Sequence, residues 1–180
     1  MSIVDVCQTQ RLIVRRFTLT DGDFIVRLLN DSAFIRYIGD KGVRTPDDAI
    51  NYLQTGPLAS YRQHGFGLSL VQLKESATPI GMCGLLKRNE LQFPDLGFAF
   101  LPAFCGQGYA HEAAAEVLRA GVADHKLERV QAVTLPDNLS SNRLLVKLGF
   151  DLIGSAHLYG SQNNLYEYTV INEIKPDASK

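Results

Sequence analysis

Apolar residues recur at helix-like spacing in some segments of the chain and at strand-like spacing in others. The apolar run at 12–17 predicts a first strand. At 20–30, four apolar residues fall on one helical face, which predicts a helix. A second helix is predicted from Thr45 to about Tyr61. Thr45 can cap it, a proline suits its first position, and two aspartates favour the positive end of its dipole.

Three short apolar segments follow, and polar stretches separate them. They lie at 66–73, 79–86 and 95–101. This pattern predicts three strands joined as an antiparallel meander.

The second half of the chain begins with an amphipathic pattern. Apolar or small residues at 114, 117, 118, 121 and 122 predict a helix that starts near Gly108. The remaining predicted elements are a strand at 129–135, a short helix at 138–148 ended by Gly149, and strands at 150–158 and 165–171 around a turn at 160–164. Together the elements predict a mixed α/β fold, in which helices cover the faces of one sheet.

The composition is that of one globular domain. The chain has 180 residues, of which 46% are hydrophobic and 21% charged. We expect a single domain over 1–180, with its core at about 10–172 and frayed ends. The sequence contains no run of ~18 consecutive apolar residues, so it predicts no membrane span. The net charge of −1 argues against nucleic acid as the main ligand.

The cysteines and histidines do not form a metal-binding pattern. Cys7, Cys83 and Cys105 show no C-x-x-C spacing, and the histidines show no i, i+4 pair. We therefore expect neither a disulfide framework nor a metal site. The first residues lack the basic region of a secretory signal, so we expect a cytoplasmic protein. We expect it to be a monomer or a homodimer.

The segment Cys-Gly-Gln-Gly-Tyr-Ala, from Cys105 to Ala110, indicates the chemistry. Its two glycines leave the backbone uncovered, so the N–H groups of 106–110 can converge on an anion at the start of the predicted helix. The alternative is a tight turn that uses glycine only for left-handed dihedral angles, and the spacing leaves both interpretations open.

The familiar nucleotide-binding loops are excluded. A P-loop would need Gly-x-x-x-x-Gly-Lys-Ser/Thr, which does not occur in this chain. A Rossmann fingerprint would need a third glycine where His111 stands, and it would open a first strand–helix–strand unit.

Three motifs together resemble the GNAT superfamily of acyl-CoA-dependent N-acetyltransferases. Within it they resemble the RimJ/RimL-like branch, named for enzymes that acetylate the N-termini of ribosomal proteins. The motifs are R-L-I-V-R-R-F from Arg11, F-C-G-Q-G-Y-A-H-E-A from Phe104, and D-N-L-S-S-N-R-L-L-V-K-L-G-F from Asp137. The resemblance covers 11–171. It implies a mostly antiparallel sheet of six to seven strands flanked by helices, whose fourth and fifth strands, 95–101 and 129–135, splay apart around acetyl-CoA.

The resemblance also implies which residues bind acetyl-CoA. The fourth strand would pair its backbone with the pantetheine arm, the glycine-containing loop would donate N–H groups to the pyrophosphate, and an asparagine would bond the pantetheine. The residues so implied are Phe98, Ala99, Phe100, Gly106, Gln107, Gly108, Tyr109, Ala110 and Asn138.

Two positions depart from the family pattern. Cys105 stands where Gln, Arg or an aromatic residue is common. Leu145 stands where many members place the tyrosine that protonates the departing thiolate. Ser141 matches a serine that the branch is thought to use instead, although a first-turn serine bonding local backbone is an equally ordinary interpretation.

Amine acetylation also calls for a base, because an α-amine with a pKa of ~7.7–8 and a lysine amine with a pKa of ~10.4 are mostly protonated at neutral pH. Asp95, at the head of the fourth strand, is the candidate base, and a turn residue after Pro94 is the alternative. Glu112 is the other carboxylate nearby, and we expect it to serve the helix dipole.

The resulting hypothesis is an N-acetyltransferase that moves the acetyl group of acetyl-CoA to a primary amine by direct attack. We expect a protein N-terminal amine, of a ribosomal or another protein, as the acceptor. The alternatives are a small-molecule amine or a non-catalytic acyl-CoA-binding module, which the leucine at 145 favours. Neither nucleic acid nor a membrane is an expected partner. Residues 37–39 could edge the acceptor pocket, although packing in the core or in a loop is the more ordinary interpretation.

Overall fold

The computed structural model describes residues 3–171, which form one eight-stranded sheet with six α-helices. The strands are β1 Asp5–Gln8, β2 Leu12–Arg15, β3 Leu68–Leu73, β4 Pro79–Leu86, β5 Asp95–Phe100, β6 Arg129–Thr134, β7 Asp151–Leu158 and β8 Ser161–Thr169. The helices are α1 Gly22–Leu29, α2 Ser32–Tyr37, α3 Pro46–Thr55, α4 Pro57–His64, α5 Tyr109–His125 and α6 Leu139–Lys147.

The sheet order is β1-β2-β3-β4-β5-β6-β8-β7, and every neighbouring pair is antiparallel except β5 and β6. The mixed, mostly antiparallel sheet and the meander of β3 to β5 are confirmed. The strand count is eight rather than six to seven, because β1 adds an edge strand beside β2. The N-terminal end is therefore not frayed at 5–8. Its short sequence, mostly exposed, has no apolar pattern that marks a strand. The expected fraying at 172–180 lies outside the described residues.

Two hydrophobic cores cover the two faces of the sheet. On one face, α5 buries Ala113, Ala114, Val117 and Leu118 against strand residues that include Val14. On the other face, α1 and α3 bury Ile25, Leu28, Leu29, Ala49 and Leu53 against β3 and β4. The sheet thus separates an α5 side from an α1–α4 side. No helix within 3–171 is both long and apolar enough to cross a lipid bilayer.

The helix predicted at 45–61 is two helices. Thr45 caps α3 as expected, and its hydroxyl accepts from the Asp48 N–H at 3.2 Å. Gly56 then leaves the helical region, with φ −98° and ψ −101°, and Pro57 begins α4. A proline disfavours helical angles in the residue before it, which is the physical reason for the break.

One further helix and one turn differ from the prediction. Helix α2 has six residues and buries only Phe34, so it is too short to produce a periodic pattern. The turn between β7 and β8 consists of Tyr159 and Gly160, both with positive φ, rather than 160–164. Two such residues suit the tight turn that right-twisted hairpin strands favour, and Ser161 is already paired in β8.

The strands β5 and β6 separate soon after they begin. Asp95 and Gln131 are their only paired residues, and the N–H of Gln131 donates to the Pro94 carbonyl at 2.9 Å. Beyond this point the two parallel strands diverge toward their carboxyl ends. The predicted splay of these two strands is confirmed, and it opens a gap in the sheet.

Candidate active site

A cleft of about 800 Å³ occupies the gap between β5 and β6. Its walls come from β5, β6 and the segments that follow each of them, with α2 and the β7–β8 turn at one end. The predicted site residues that line the cleft are Phe98, Ala99, Phe100, Gly106, Gly108, Tyr109, Ala110, Asn138 and Ser141. Two predicted residues, Gln107 and Asp95, are not among the lining residues.

The glycine loop (residues 106–110) connects a short 3₁₀ turn after β5 to the start of α5. Gly106 and Gly108 have φ of +74° and +83°, angles that favour glycine. No backbone or side-chain acceptor among residues 3–171 receives a hydrogen bond from the N–H groups of 106–110. These donors, together with the positive end of the α5 dipole, form an arrangement that could accept an anion.

Arg11 fastens the glycine loop from outside. Its guanidinium donates to the Gln107 carbonyl at 3.1 Å and lies 4.3 Å from the centre of the Tyr109 ring. Its Nε also donates to Glu112 at 2.7 Å. The sequence indicated Arg11 only as the start of a strand. Its contact with the loop spans 96 residues of sequence, so no local pattern marks it.

Glu112 is held in place rather than free to act as a base. Its carboxylate accepts from the Thr9 hydroxyl at 2.5 Å and from the Arg11 backbone N–H at 2.9 Å. Burial works to raise the pKa of Glu112, but the hydrogen bonds from Thr9 and Arg11 outweigh it and hold the pKa below its usual value. Glu112 therefore ties the first turn of α5 to the β1–β2 connection.

Gln107 contributes to the loop through its main chain. Its side chain turns back and donates to the Ala103 carbonyl at 2.9 Å. That bond fixes the loop without placing the amide side chain in the cleft. The predicted role of Gln107 uses only its backbone N–H, so the position of its side chain neither supports nor contradicts that prediction.

The other wall of the cleft ends at the start of α6. Asn138 caps this helix, and its side-chain oxygen accepts from the Ser141 N–H at 3.4 Å and from the Ser140 hydroxyl at 3.3 Å. The Ser141 hydroxyl makes no hydrogen bond within the described part of the chain. It is thus available to a molecule in the cleft.

Asn142 anchors this wall, and the sequence analysis did not single it out. Its side-chain oxygen accepts from Thr134, Asn164 and Tyr166 at 2.6, 3.1 and 2.8 Å. Its amide donates to the carbonyls of Leu135, Pro136 and Asn138. One side chain therefore joins β6, β8 and the start of α6.

Asp95 lies behind the cleft wall, with no exposed surface. Arg88 Nη2 is 3.2 Å from its Oδ2, but no donor among residues 3–171 hydrogen-bonds either oxygen. Burial raises the pKa of Asp95 to about 6, against the opposing charges of Arg88 and Lys87. The side chain does not reach the cleft in this structure, and its role as base stays a prediction.

The far end of the cleft holds residues for which the sequence analysis favoured ordinary packing, or which it did not name. Tyr37, Ile38 and Gly39 line the cleft, which favours the interpretation that they edge the acceptor pocket over packing in the core or in a loop alone. Helix α2, which the apolar pattern did not predict, brings them there. Leu145, at the position of the missing tyrosine, is fully buried in the hydrophobic core against the cleft wall.

Comparison with known proteins decides the family. A model described as "Acetyltransferase (GNAT) domain" matches residues 11–151. The chain belongs to the GNAT acetyltransferase family. It is an acyltransferase, and relatives are named N-acetyltransferases. Within 3–171, no cluster of three or more His, Cys, Asp or Glu side chains could hold a metal ion in this GNAT domain.

Two relatives from Bacillus subtilis (strain 168) resemble this GNAT chain along most of its length. The uncharacterized N-acetyltransferase YoaA is 29% identical over 174 residues, which cover 95% of this chain and 97% of that protein. The uncharacterized N-acetyltransferase YnaD is 28% identical over 141 residues, which cover 78% and 79%.

Solved structures share the fold. A GNAT acetyltransferase from Bacillus anthracis has a TM-score of 0.75 at 24% identity, covering 93% of this chain and 98% of that one. RimL, a ribosomal L7/L12 alpha-N-protein acetyltransferase in complex with coenzyme A, has a TM-score of 0.77 at 17% identity, covering 94% and 98%. At these identities the likeness shows the fold alone.

Proposed function

We propose that this GNAT enzyme moves the acetyl group of acetyl-CoA to a primary amine, as a member of the RimJ/RimL-like branch. The observation that carries the proposal is the set of unused N–H groups at 106–110, beside the gap between β5 and β6. They suit a pyrophosphate, which needs several donors and no particular side chain. The residues present therefore fit acetyl-CoA as a substrate.

The cleft also offers backbone groups to the pantetheine arm of acetyl-CoA. Past Asp95, the edge of β5 that faces β6 has no strand partner. A pantetheine arm can pair with this free backbone at 98–100, as an added strand would. The apolar side chains of Phe98 and Phe100 and the cap residue Asn138 flank this path.

Acetyl transfer requires two proton transfers. The amine must be neutral when it attacks the thioester carbonyl, and the sulfur must receive a proton as it leaves. Ser141 presents a free hydroxyl to the cleft and is the group proposed to protonate the sulfur. Asp95 is proposed to accept the amine proton. Because its carboxyl is buried, that proton has to travel through water or through a movement of Arg88.

The acceptor we propose is the α-amine of a protein N-terminus. The three sequence motifs of the RimJ/RimL-like branch support it, as does the common fold with an enzyme named for α-N-acetylation of a ribosomal protein. An α-amine also has a lower pKa than a lysine amine, so more of it is neutral near pH 7.

Mass spectrometry can test the proposal directly. The purified protein is incubated with isotope-labelled acetyl-CoA, a library of peptides with free N-termini and a panel of small primary amines, and labelled acetyl groups are located by fragmentation. We expect label on α-amines, and a Gly108→Val variant should give much less. Tight CoA binding without label on any peptide or small amine would instead establish a non-catalytic module, the outcome that the buried Leu145 favours.

A further inference from the structure

The end of the cleft opposite the glycine loop carries a pair of cations on one aromatic ring. The Lys41 amine lies 5.4 Å from the centre of the Tyr159 ring, and the Arg88 guanidinium lies 5.8 Å from it. All three residues line the cleft. They come from the α2–α3 connection, from the segment after β4 and from the tip of the β7–β8 hairpin, so only the tertiary structure assembles them.

The two cations differ in how far their charge is compensated. Arg88 faces the buried carboxyl of Asp95, which balances it when ionised. Lys41 has no carboxylate at ion-pair distance among residues 3–171. Burial and then the charge of Arg88 lower the pKa of Lys41, and no carboxylate offsets them. The uncompensated charge at this end is therefore that of Lys41.

More cations than anions line the cleft as a whole, although one of the cations, Arg36, is paired with Asp137 at 3.1 Å. Among the described residues that line it there is no Asp or Glu, whereas Arg36, Lys41, Arg88, Arg143 and Lys147 all line it. The chain as a whole has a net charge of −1, so positive charge is concentrated in the cleft. Such a region attracts anions and repels molecules with several positive charges.

The phosphates of the proposed cofactor do not account for Lys41 and Arg88. Arg88 contacts Asp95, the first residue of β5, whereas the glycine loop comes after Phe100, its last residue. A six-residue strand spans roughly 17 Å, at about 3.3 Å per residue. The cation pair is thus about one strand length from the pyrophosphate loop, beside the part of the cleft left for the acceptor.

We propose that Lys41, supported by Arg88 and Tyr159, binds a carboxylate on the acceptor, so that the preferred substrates are primary amines that also carry a carboxylate. The inference rests on the proposed acetyl transfer and specifies its substrate class. The carboxylate can belong to a free amino acid or to an acidic residue near a peptide N-terminus. Amines with further positive charges, such as polyamines, are poor substrates. The cations also favour the neutral form of the attacking amine, because a nearby positive charge lowers the pKa of an amine.

Matched acceptor pairs test this inference. The values of kcat/KM are measured with acetyl-CoA and four acceptors, which are serine, serinamide and two tripeptide amides that begin Ser-Asp and Ser-Asn. Each value is expressed per concentration of neutral amine, because a carboxylate near the amine raises its pKa. Spermidine is the polycationic comparison. We expect the carboxylate member of at least one pair to be preferred by about 10-fold or more, as a charged hydrogen bond can provide. A preference within the amino acid pair or the peptide pair identifies the source of the carboxylate.

Substitution of Lys41 completes the test. Lys41→Met should reduce the preference to near unity through a higher KM for the carboxylate member, and Lys41→Arg should keep most of it. Arg62→Met, at an exposed cation of α4 outside the cleft, should change nothing. Equal kcat/KM within both pairs, an unchanged preference in Lys41→Met, or a preference for spermidine overturns the inference. Absence of any acetylated amine would overturn the proposed function instead.

Discussion

Replacing Gly108 with valine changes the glycine loop at a position where the backbone requires φ of +83°. A non-glycine residue held in such a conformation costs about 1–3 kcal/mol, and a β-branched residue is especially disfavoured. An ideal Cβ at this position also lies 3.3 Å from Nη2 of Arg11, the side chain that fastens the loop. The loop has to shift, and its N–H groups no longer converge on one anion.

The expected loss of CoA affinity follows from those donors. Each charge-assisted hydrogen bond contributes about 1.5–3 kcal/mol. Misplacing the equivalent of one of them weakens binding by about 2 kcal/mol, which raises the Kd for CoA about 30-fold. Isothermal titration calorimetry with CoA measures this change, and circular dichroism confirms that the variant is folded.

Gly65 offers a matched control outside the cleft. It has φ of +80° at the end of α4, and a Cβ there lies 3.4 Å from the His125 ring. Gly65→Val therefore introduces comparable backbone strain and should lower the melting temperature without changing the Kd for CoA. An unchanged Kd in a folded Gly108→Val protein, or an equal loss in Gly65→Val, would refute the role of the loop.

Three further substitutions test the other parts of the site. Asp95→Asn should lower kcat by about 100-fold near neutral pH, with a smaller loss at high pH where more amine is neutral; full activity at neutral pH would remove Asp95 as the base. The same variant tests the buried charge. With the pKa of Asp95 raised to about 6, the native state retains a proton that the unfolded chain has lost above about pH 4, so the free energy of unfolding of the wild type should fall as pH rises from 4 to 6. Denaturation of Asp95→Asn should lack this fall. Ser141→Ala should lower kcat about 10-fold and leave the Kd for CoA unchanged, and an unaltered kcat would exclude the hydroxyl as the acid. Asn142→Ala leaves three donors without their acceptor and should lower the free energy of unfolding by about 2 kcal/mol in urea titrations; a change below about 0.5 kcal/mol would show that water replaces the amide.

Local regularities explain why much of the fold was predictable. The apolar faces of α1 and α5, the short apolar segments of the β3–β5 meander and the capping of α3 by Thr45 all arise from residues within a few positions of one another. Where local preferences were weak, the prediction failed. β1 and α2 are too short to show a period, and Gly56 with Pro57 divides a segment that looks like one helix.

In the candidate site, too, the contiguous segments could be predicted from the sequence and the long-range contacts could not. The glycine loop and the first turn of α6, from Asn138 to Ser141, are each contiguous in sequence, so their motifs could be matched to the family and a cofactor-binding role predicted for them. The amino-acid sequence by itself also determined the family, since the three motifs are local. The sequence did not reveal that Arg11 holds the glycine loop, that Asn142 joins β6, β8 and α6, or that two cations lie on the Tyr159 ring. Each of these contacts joins residues that are distant along the chain. Only the tertiary structure decided that Asp95 is buried behind Arg88 and that Lys41 lies in the cleft, since the electrostatic surroundings of a charge depend on every element packed around it.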